Sequence, residues 1–192
     1  PAKEALVPNL PETIDPEAIV VPDVHFSSEA IGTASGSARF WEDYHHGERI
    51  DHPEGMTIDE SDHTLATKLY QNNAKVHFDA AAMRNTSNGR RLVYGGHIIS
   101  ICRALSYDGL ENAVAIAGIN GGSHRNPTFA GDTIYCYSTV LEKFPISSRD
   151  DVGLLRLRLL GLRDVQSEGF DPMIAGGGKA RFRNEVVLDL DY

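Results

Sequence analysis

The chain has 192 residues, 41% of them hydrophobic and 23% charged, which suits one globular domain with extensions and a core of its own. Its net charge of −9 argues against nucleic acid as a partner and leaves any anionic ligand in need of a local basic site. No apolar run approaches a membrane span, and the proline-bearing start lacks the apolar stretch of a secretory signal.

Residues 1–37 carry Pro8, Pro11, Pro16 and Pro22, which break helices and strands, so this segment is expected to be a linker or extension packed over a surface. The chain begins at Pro1 without an initiator Met, as expected of a processed chain or a piece of a longer one. A domain over 38–192 opens with the aromatic cluster Phe40-Trp41-Glu42-Asp43-Tyr44 and a turn at Gly47. A strand follows over about Arg49–Ile58. Asp59 or Ser61 then caps a helix running to Tyr70, with Leu65 and Leu69 on one face. Gln71–Val76 breaks the periodicity before a short helix over Asp79–Met83.

After Gly95-Gly96, the residues Ile98, Ile101, Cys102 and Leu105 recur at helical spacing, which predicts a largely buried helix that stops by Gly109. Everything beyond reads as strand. Val114–Ile119 is a wholly apolar run, and Asp132–Leu141 alternates with Ile134, Cys136 and Val140 on one face. Leu155, Leu157 and Leu159 alternate with arginines, and Val186, Leu188 and Leu190 alternate with polar neighbours across a Gly-rich loop at 169–178. The expected class is α+β, one buried helix against antiparallel strands. Cys102 and Cys136 lie in apolar segments without metal-ligand spacing and read as buried thiols in a reducing, cytoplasmic compartment. Glu185, Asp189 and Asp191 have no His or Cys beside them and read as a solvated strand face, so no metal is expected.

Two segments carry a resemblance. Arg125-Asn126-Pro127 followed by Phe129-Ala130-Gly131-Asp132-Thr133-Ile134 resembles the strand-opening signature of MaoC-type hot-dog hydratases. Tyr70-Gln-Asn-Asn-Ala-Lys-Val-His-Phe-Asp79 is similar to a degenerate copy of that family's motif Ser-Gly-Asp-x-Asn-Pro-x-His-x-Asp. Further matches run nearly the whole chain, among them Tyr94-Gly95-Gly96-His97, Ile119-Asn120-Gly121-Gly122 and Arg149-Asp150-Asp151-Val152-Gly153. They resemble the C-terminal half of tandem hot-dog hydratases that interconvert mesaconyl-CoA and β-methylmalyl-CoA. The resemblance implies a hot-dog fold, a central helix wrapped by a curved antiparallel sheet. It also implies an acyl-CoA thioester as substrate, a second hot-dog half (fused or separate), a homo-oligomer, and no cofactor beyond the coenzyme A of the substrate. Another acyl chain, or a non-catalytic half that shapes the CoA tunnel for an active partner, is the alternative.

Adding water to an enoyl thioester needs a base for water, an acid for the neighbouring carbon and donors for the enolate oxygen. The resemblance makes His77 the base, and imidazole suits that task near neutral pH; the alternative is a histidine packed at the sheet edge. The family's Asp five residues earlier is Asn72 here, and its Asn two residues further on is Ala74. An amide orients water but carries no proton. Gly96 matches the glycine whose N–H holds the thioester oxygen, at a helix start where donors are free and the dipole is positive. Tyr70, Gly95 and His97 are expected beside the ligand, with His97 equally suited to solvent. Arg91 and Arg125 are candidates for the substrate carboxylate or the CoA phosphates, or else surface charges, as are Arg90 and Lys75.

Overall fold

The computed structural model describes residues 11–174 and 181–192. Its elements in chain order are α1 (Ser28–Ser35), β1 (Arg49–Thr57), α2 (Glu60–Leu69), α3 (Lys75–Phe78), α4 (Ala80–Met83), α5 (Gly95–Leu105), β2 (Gly121–His124), β3 (Thr133–Pro145), β4 (Gly153–Arg163), β5 (Met173–Ile174), β6 (Arg181–Phe182) and β7 (Val186–Asp191), with 3-10 turns at Pro16–Ala18 and Trp41–Asp43. Five strands form one antiparallel sheet in the order β1-β3-β4-β7-β2, and β5 and β6 form a separate small ribbon.

The apolar stripe of α5 decides the architecture. Ile98, Ile101, Cys102 and Leu105 are buried against Ile134 and Cys136 of β3, Leu159 of β4, and Leu188 and Leu190 of β7. Each such side chain contributes roughly 1.5–3 kcal/mol of hydrophobic stabilisation. Gly161 sets how closely helix and sheet approach, because a Cβ there would lie 2.8 Å from the Cys102 Sγ and 3.0 Å from the Leu188 Cβ. Cys102 and Cys136 are both buried free thiols. The hydrogen bond with Cys136 and burial push the Cys102 thiol well above its ordinary range, so it packs as an apolar group.

The other face of the sheet has a second core of Tyr137, Leu160, Leu162 and Val186. Beside it runs a ladder of ion pairs. Asp189 accepts from Arg158 at 2.8 and 3.0 Å and from Arg125 at 2.8 Å, and Asp191 accepts from Arg156 at 3.0 and 2.6 Å. The acidic run of β7 is therefore paired, where the sequence suggested a solvated face. Arginines on β4 two residues apart meet aspartates on β7 two residues apart, one pleat matched to another.

Three sequence expectations need correction. Val114–Ile119 forms no strand; the run is irregular, with Val114, Ile116 and Ile119 about half exposed. β7 takes Gly121–His124 as its edge partner, so no neighbour offers these residues a ladder. In α2 the buried face is His63, Ala66 and Thr67, while Leu65 and Leu69 are exposed. In the proline-rich segment, α1 forms within the last third, where no proline remains and Ser27 caps its first turn. The rest of the described segment before α1 makes backbone contacts with later elements. Arg149 donates to the Pro22 and Val24 carbonyls at 2.9 and 2.6 Å, and the Ile14 N–H reaches Asn120 Oδ1 at 2.7 Å. Residues 1–10 and the second half of the Gly-rich loop, 175–180, lie outside the described residues.

Candidate active site

The N-terminus of α5 is an open anion-receptive end. Tyr94 occupies the N-cap position but makes no side-chain capping bond, and neither the Gly95 nor the Gly96 N–H has an acceptor among the described residues. Both glycines are forced by close neighbours. A Cβ on Gly96 would sit 2.7–2.8 Å from the Tyr94 ring, and one on Gly95 would collide with His124 Nε2 and lie 2.8 Å from two ring carbons of His124. Room for the close approach of a ligand oxygen is one reason for two glycines at a helix start. The structure adds a second reason, the seating of two aromatic rings against the helix start.

His77 reaches the same place from α3. The Leu92 N–H donates to the Val76 carbonyl at 3.0 Å, and the Leu92 carbonyl lies 3.1 Å from His77 Nδ1. A carbonyl only accepts, so Nδ1 carries the proton and Nε2 of the neutral ring is left with its lone pair. The ring meets Tyr94 edge-on at 5.8 Å between centroids, and Tyr70, at the C-cap of α2, stands 6.2 Å from Tyr94 on another side. Thus Tyr70, His77, Tyr94, Gly95 and Gly96 form one aromatic-walled corner.

Asn72 sits at the entry to α3, partly buried. Its Oδ1 accepts from the Ala74 N–H at 2.9 Å, a local turn that leaves the amide N–H pair as the group available outward. His97 is half-buried on α5 with Nε2 buried and unpartnered among the described residues. His63 on α2 is wholly buried with both ring nitrogens unpartnered among those residues. Burial lowers the pKa of both rings, and the Arg91 charge lowers that of His63 further. His63 was absent from the sequence reading because a lone histidine in an amphipathic helix gives no signal of its own.

Arg91 and Arg125 are both paired with carboxylates, although Arg91 Nε is buried without a partner among the described residues. Arg91 is held by Glu60 in a close ion pair and by Thr64 Oγ1 at 3.0 Å, with only 11% of its side chain exposed. Arg125 follows His124, and strand alternation sends the two side chains to opposite faces: His124 against Gly95, Arg125 to Asp189 and the Phe182 ring on the far side. Arg90 lies with its guanidinium 4.0 Å over Phe129, and Lys75 is exposed one turn from the site.

A cavity of about 1420 Å³ lies at the opposite end of α5, between the extension and residues such as Arg103, Leu110 and Tyr192. It contains none of the groups just described. The reactive corner is identified by its donors and histidines, not by its volume. Among the described residues there is no cluster of His, Cys, Asp or Glu suited to a metal, and no helix is long and apolar enough to cross a membrane.

A helix packed on a five-stranded antiparallel sheet defines a hot-dog domain. No family profile matches the chain. It is 46% identical over all its residues to a β-methylmalyl-CoA dehydratase of Chloroflexus aurantiacus and 43% identical to a mesaconyl-CoA hydratase of Cereibacter sphaeroides, covering 54% of each. The chain therefore spans about half the length of the curated relatives it matches. A solved structure of a MaoC-domain dehydratase from C. aurantiacus superposes with a TM-score of 0.91 at 47% identity, over the whole of this chain and 54% of that one. A double hot-dog protein of Mycobacterium tuberculosis shares the fold, with a TM-score of 0.52 at 22% identity over 89% of this chain and 41% of that one. The chain resembles one hot-dog half of the mesaconyl-CoA hydratases and β-methylmalyl-CoA dehydratases.

Proposed function

We propose that this chain is a hot-dog half of a cytoplasmic hydro-lyase that adds water to, and removes it from, a short branched dicarboxylic acyl-CoA, interconverting mesaconyl-CoA and β-methylmalyl-CoA. One observation carries the reading: the His77 ring, its Nδ1 tied to the Leu92 carbonyl, stands edge-on to Tyr94, the N-cap residue of a helix whose Gly95 and Gly96 N–H groups have no acceptor among the described residues. A base for water and donors for a developing enolate are the two things this chemistry requires. The names and the identity of the two curated relatives support the substrate class.

In this reading His77 takes the proton of the attacking water. Asn72, its oxygen engaged with Ala74, orients that water through its N–H groups. The Gly96 N–H holds the thioester oxygen, with Gly95, Tyr70 and His97 lining the acyl group. Arg91 and Arg125, each paired with a carboxylate of the chain here, are the candidates for the substrate carboxylate. The coenzyme A belongs to the substrate, no cofactor is needed, and the assembly contains a second hot-dog half, fused or separate, in a homo-oligomer.

The test is hydration of mesaconyl-CoA by the complete polypeptide or complex that contains this chain, followed by loss of enoyl-thioester absorbance. Turnover of mesaconyl-CoA well above that of crotonyl-CoA is expected. Preference for crotonyl-CoA would establish a hydratase of another acyl chain. Turnover indifferent to His77 substitutions would leave this half a scaffold.

A further inference from the structure

We propose that His124 is the second proton-transfer residue of this site, exchanging the proton on the carbon next to the thioester while His77 serves the oxygen. The inference rests on the hydratase reading above and supplies what that reading lacks. Removal of water from a β-hydroxyacyl thioester moves two protons, one from carbon and one to the leaving oxygen. Asn72 carries neither.

Position argues for His124. β2 is the edge strand, and its last residue places an imidazole against Gly95, so close that no Cβ fits between ring and helix. The ring nitrogen Nε2 stands where a Gly95 Cβ would be, at the helix start whose donors are assigned to the thioester oxygen, and the reacting carbon is one bond from that carbonyl. Neither nitrogen of His124 has a hydrogen-bond partner in the described protein, and part of the ring is open to solvent. Its nearby rivals are excluded by burial: His63 is sealed, and the Nε2 of His97 is buried.

In the dehydration direction neutral His124 takes the proton from the α-carbon. The C–H electron pair becomes an enolate whose oxygen is held at the Gly95 and Gly96 N–H groups. That pair then forms the carbon–carbon double bond, and the β-hydroxyl leaves as water with a proton from the His77 imidazolium. His124 ends protonated and His77 neutral, and one proton passed through solvent resets the pair. Hydration is the reverse. The ionisation of His124 suits the base role, since burial and the His77 charge lower its pKa and keep the ring neutral to lower pH than an ordinary histidine.

The experiment is His124→Gln and His124→Ala in the complete enzyme, with the dehydration rate followed against pH. His124→Gln should lower kcat by about two orders of magnitude or more, with little change in affinity for an unreactive CoA thioester. It should also lose the acid limb of the rate profile that belongs to His124. Added imidazole should restore part of the His124→Ala rate. Retained kcat, or a fall in kcat that leaves that limb intact and is not rescued by imidazole, would make His124 a packing residue and overturn the proposal. A wild-type enzyme that turns over no acyl-CoA would instead overturn the hydratase reading, and this proposal with it.

Discussion

His77 allows its structural and chemical contributions to be separated by choice of amide. Its Nδ1–H is tied to the Leu92 carbonyl at 3.1 Å, and its Nε2 is the proposed base. Asparagine places its side-chain nitrogen as many bonds from the backbone as Nδ1, so His77→Asn keeps the tie to Leu92 and deletes Nε2. Glutamine places its nitrogen nearer Nε2, so His77→Gln gives up the tie. Neither amide accepts a proton. Both variants should therefore lose about two to four orders of magnitude in kcat, roughly 3–5 kcal/mol at about 1.4 kcal/mol per decade. Stability divides them. The Leu92 hydrogen bond is worth about 0.5–1.5 kcal/mol, so His77→Gln should melt about 2–4 °C lower while His77→Asn stays near wild type. Steady-state kinetics with mesaconyl-CoA and thermal melts of the same preparations decide the matter. An Asn variant that is stable and retains activity within about tenfold of wild type would refute the assignment of the base.

Asn72→Asp keeps the acceptor for the Ala74 N–H but adds a negative charge beside a substrate that carries its own carboxylate. Comparing kcat/KM should show mesaconyl-CoA turnover impaired and crotonyl-CoA turnover spared or improved; equal effects on both would sink the charge argument. Gly161→Ala should destabilise by about 1–3 kcal/mol, because the new methyl meets the Cys102 Sγ at 2.8 Å and Leu188 cannot retreat; chemical denaturation measures it. Burial alone would raise the pKa of Asp189, but hydrogen bonds from Arg158 and Arg125 win and lower it. A depressed carboxyl stabilises the fold above its unfolded pKa and loses that stability as pH falls through the folded value. Asp189→Asn should therefore destabilise at neutral pH and flatten the acid side of the stability profile.

The parts of this molecule that were legible in sequence are those where one residue's environment follows from its neighbours in the chain. Ile98, Ile101, Cys102 and Leu105 mark one side of a helix whatever it packs on, and β3, β4 and β7 each declare an inner face by alternation. Val114–Ile119 had the composition of a buried strand, but a strand exists only where another offers a ladder, and that is a fact of topology. The same distinction divides the site. His77, Asn72 and Gly96 fall in segments whose order along the chain carries them. His124 lies in Gly121-Gly122-Ser123-His124, a strand with no apolar alternation, 28 positions beyond Gly96.

What brings His124 to Gly95 is the pairing of β2 with the far edge of β7, which returns the chain to the beginning of α5. That fold-back also explains why two glycines open the helix. A side chain on Gly95 would drive the His124 ring off, and one on Gly96 would displace Tyr94, which touches both His77 and Tyr70. Gly95 and Gly96 thus do two things with one missing atom each. They leave the backbone N–H groups open to an oxygen, and they let rings from the edge strand and the N-cap close on the same point. The donors belong to the helix start and His77 to α3, whereas His124 is carried by an edge strand of the sheet.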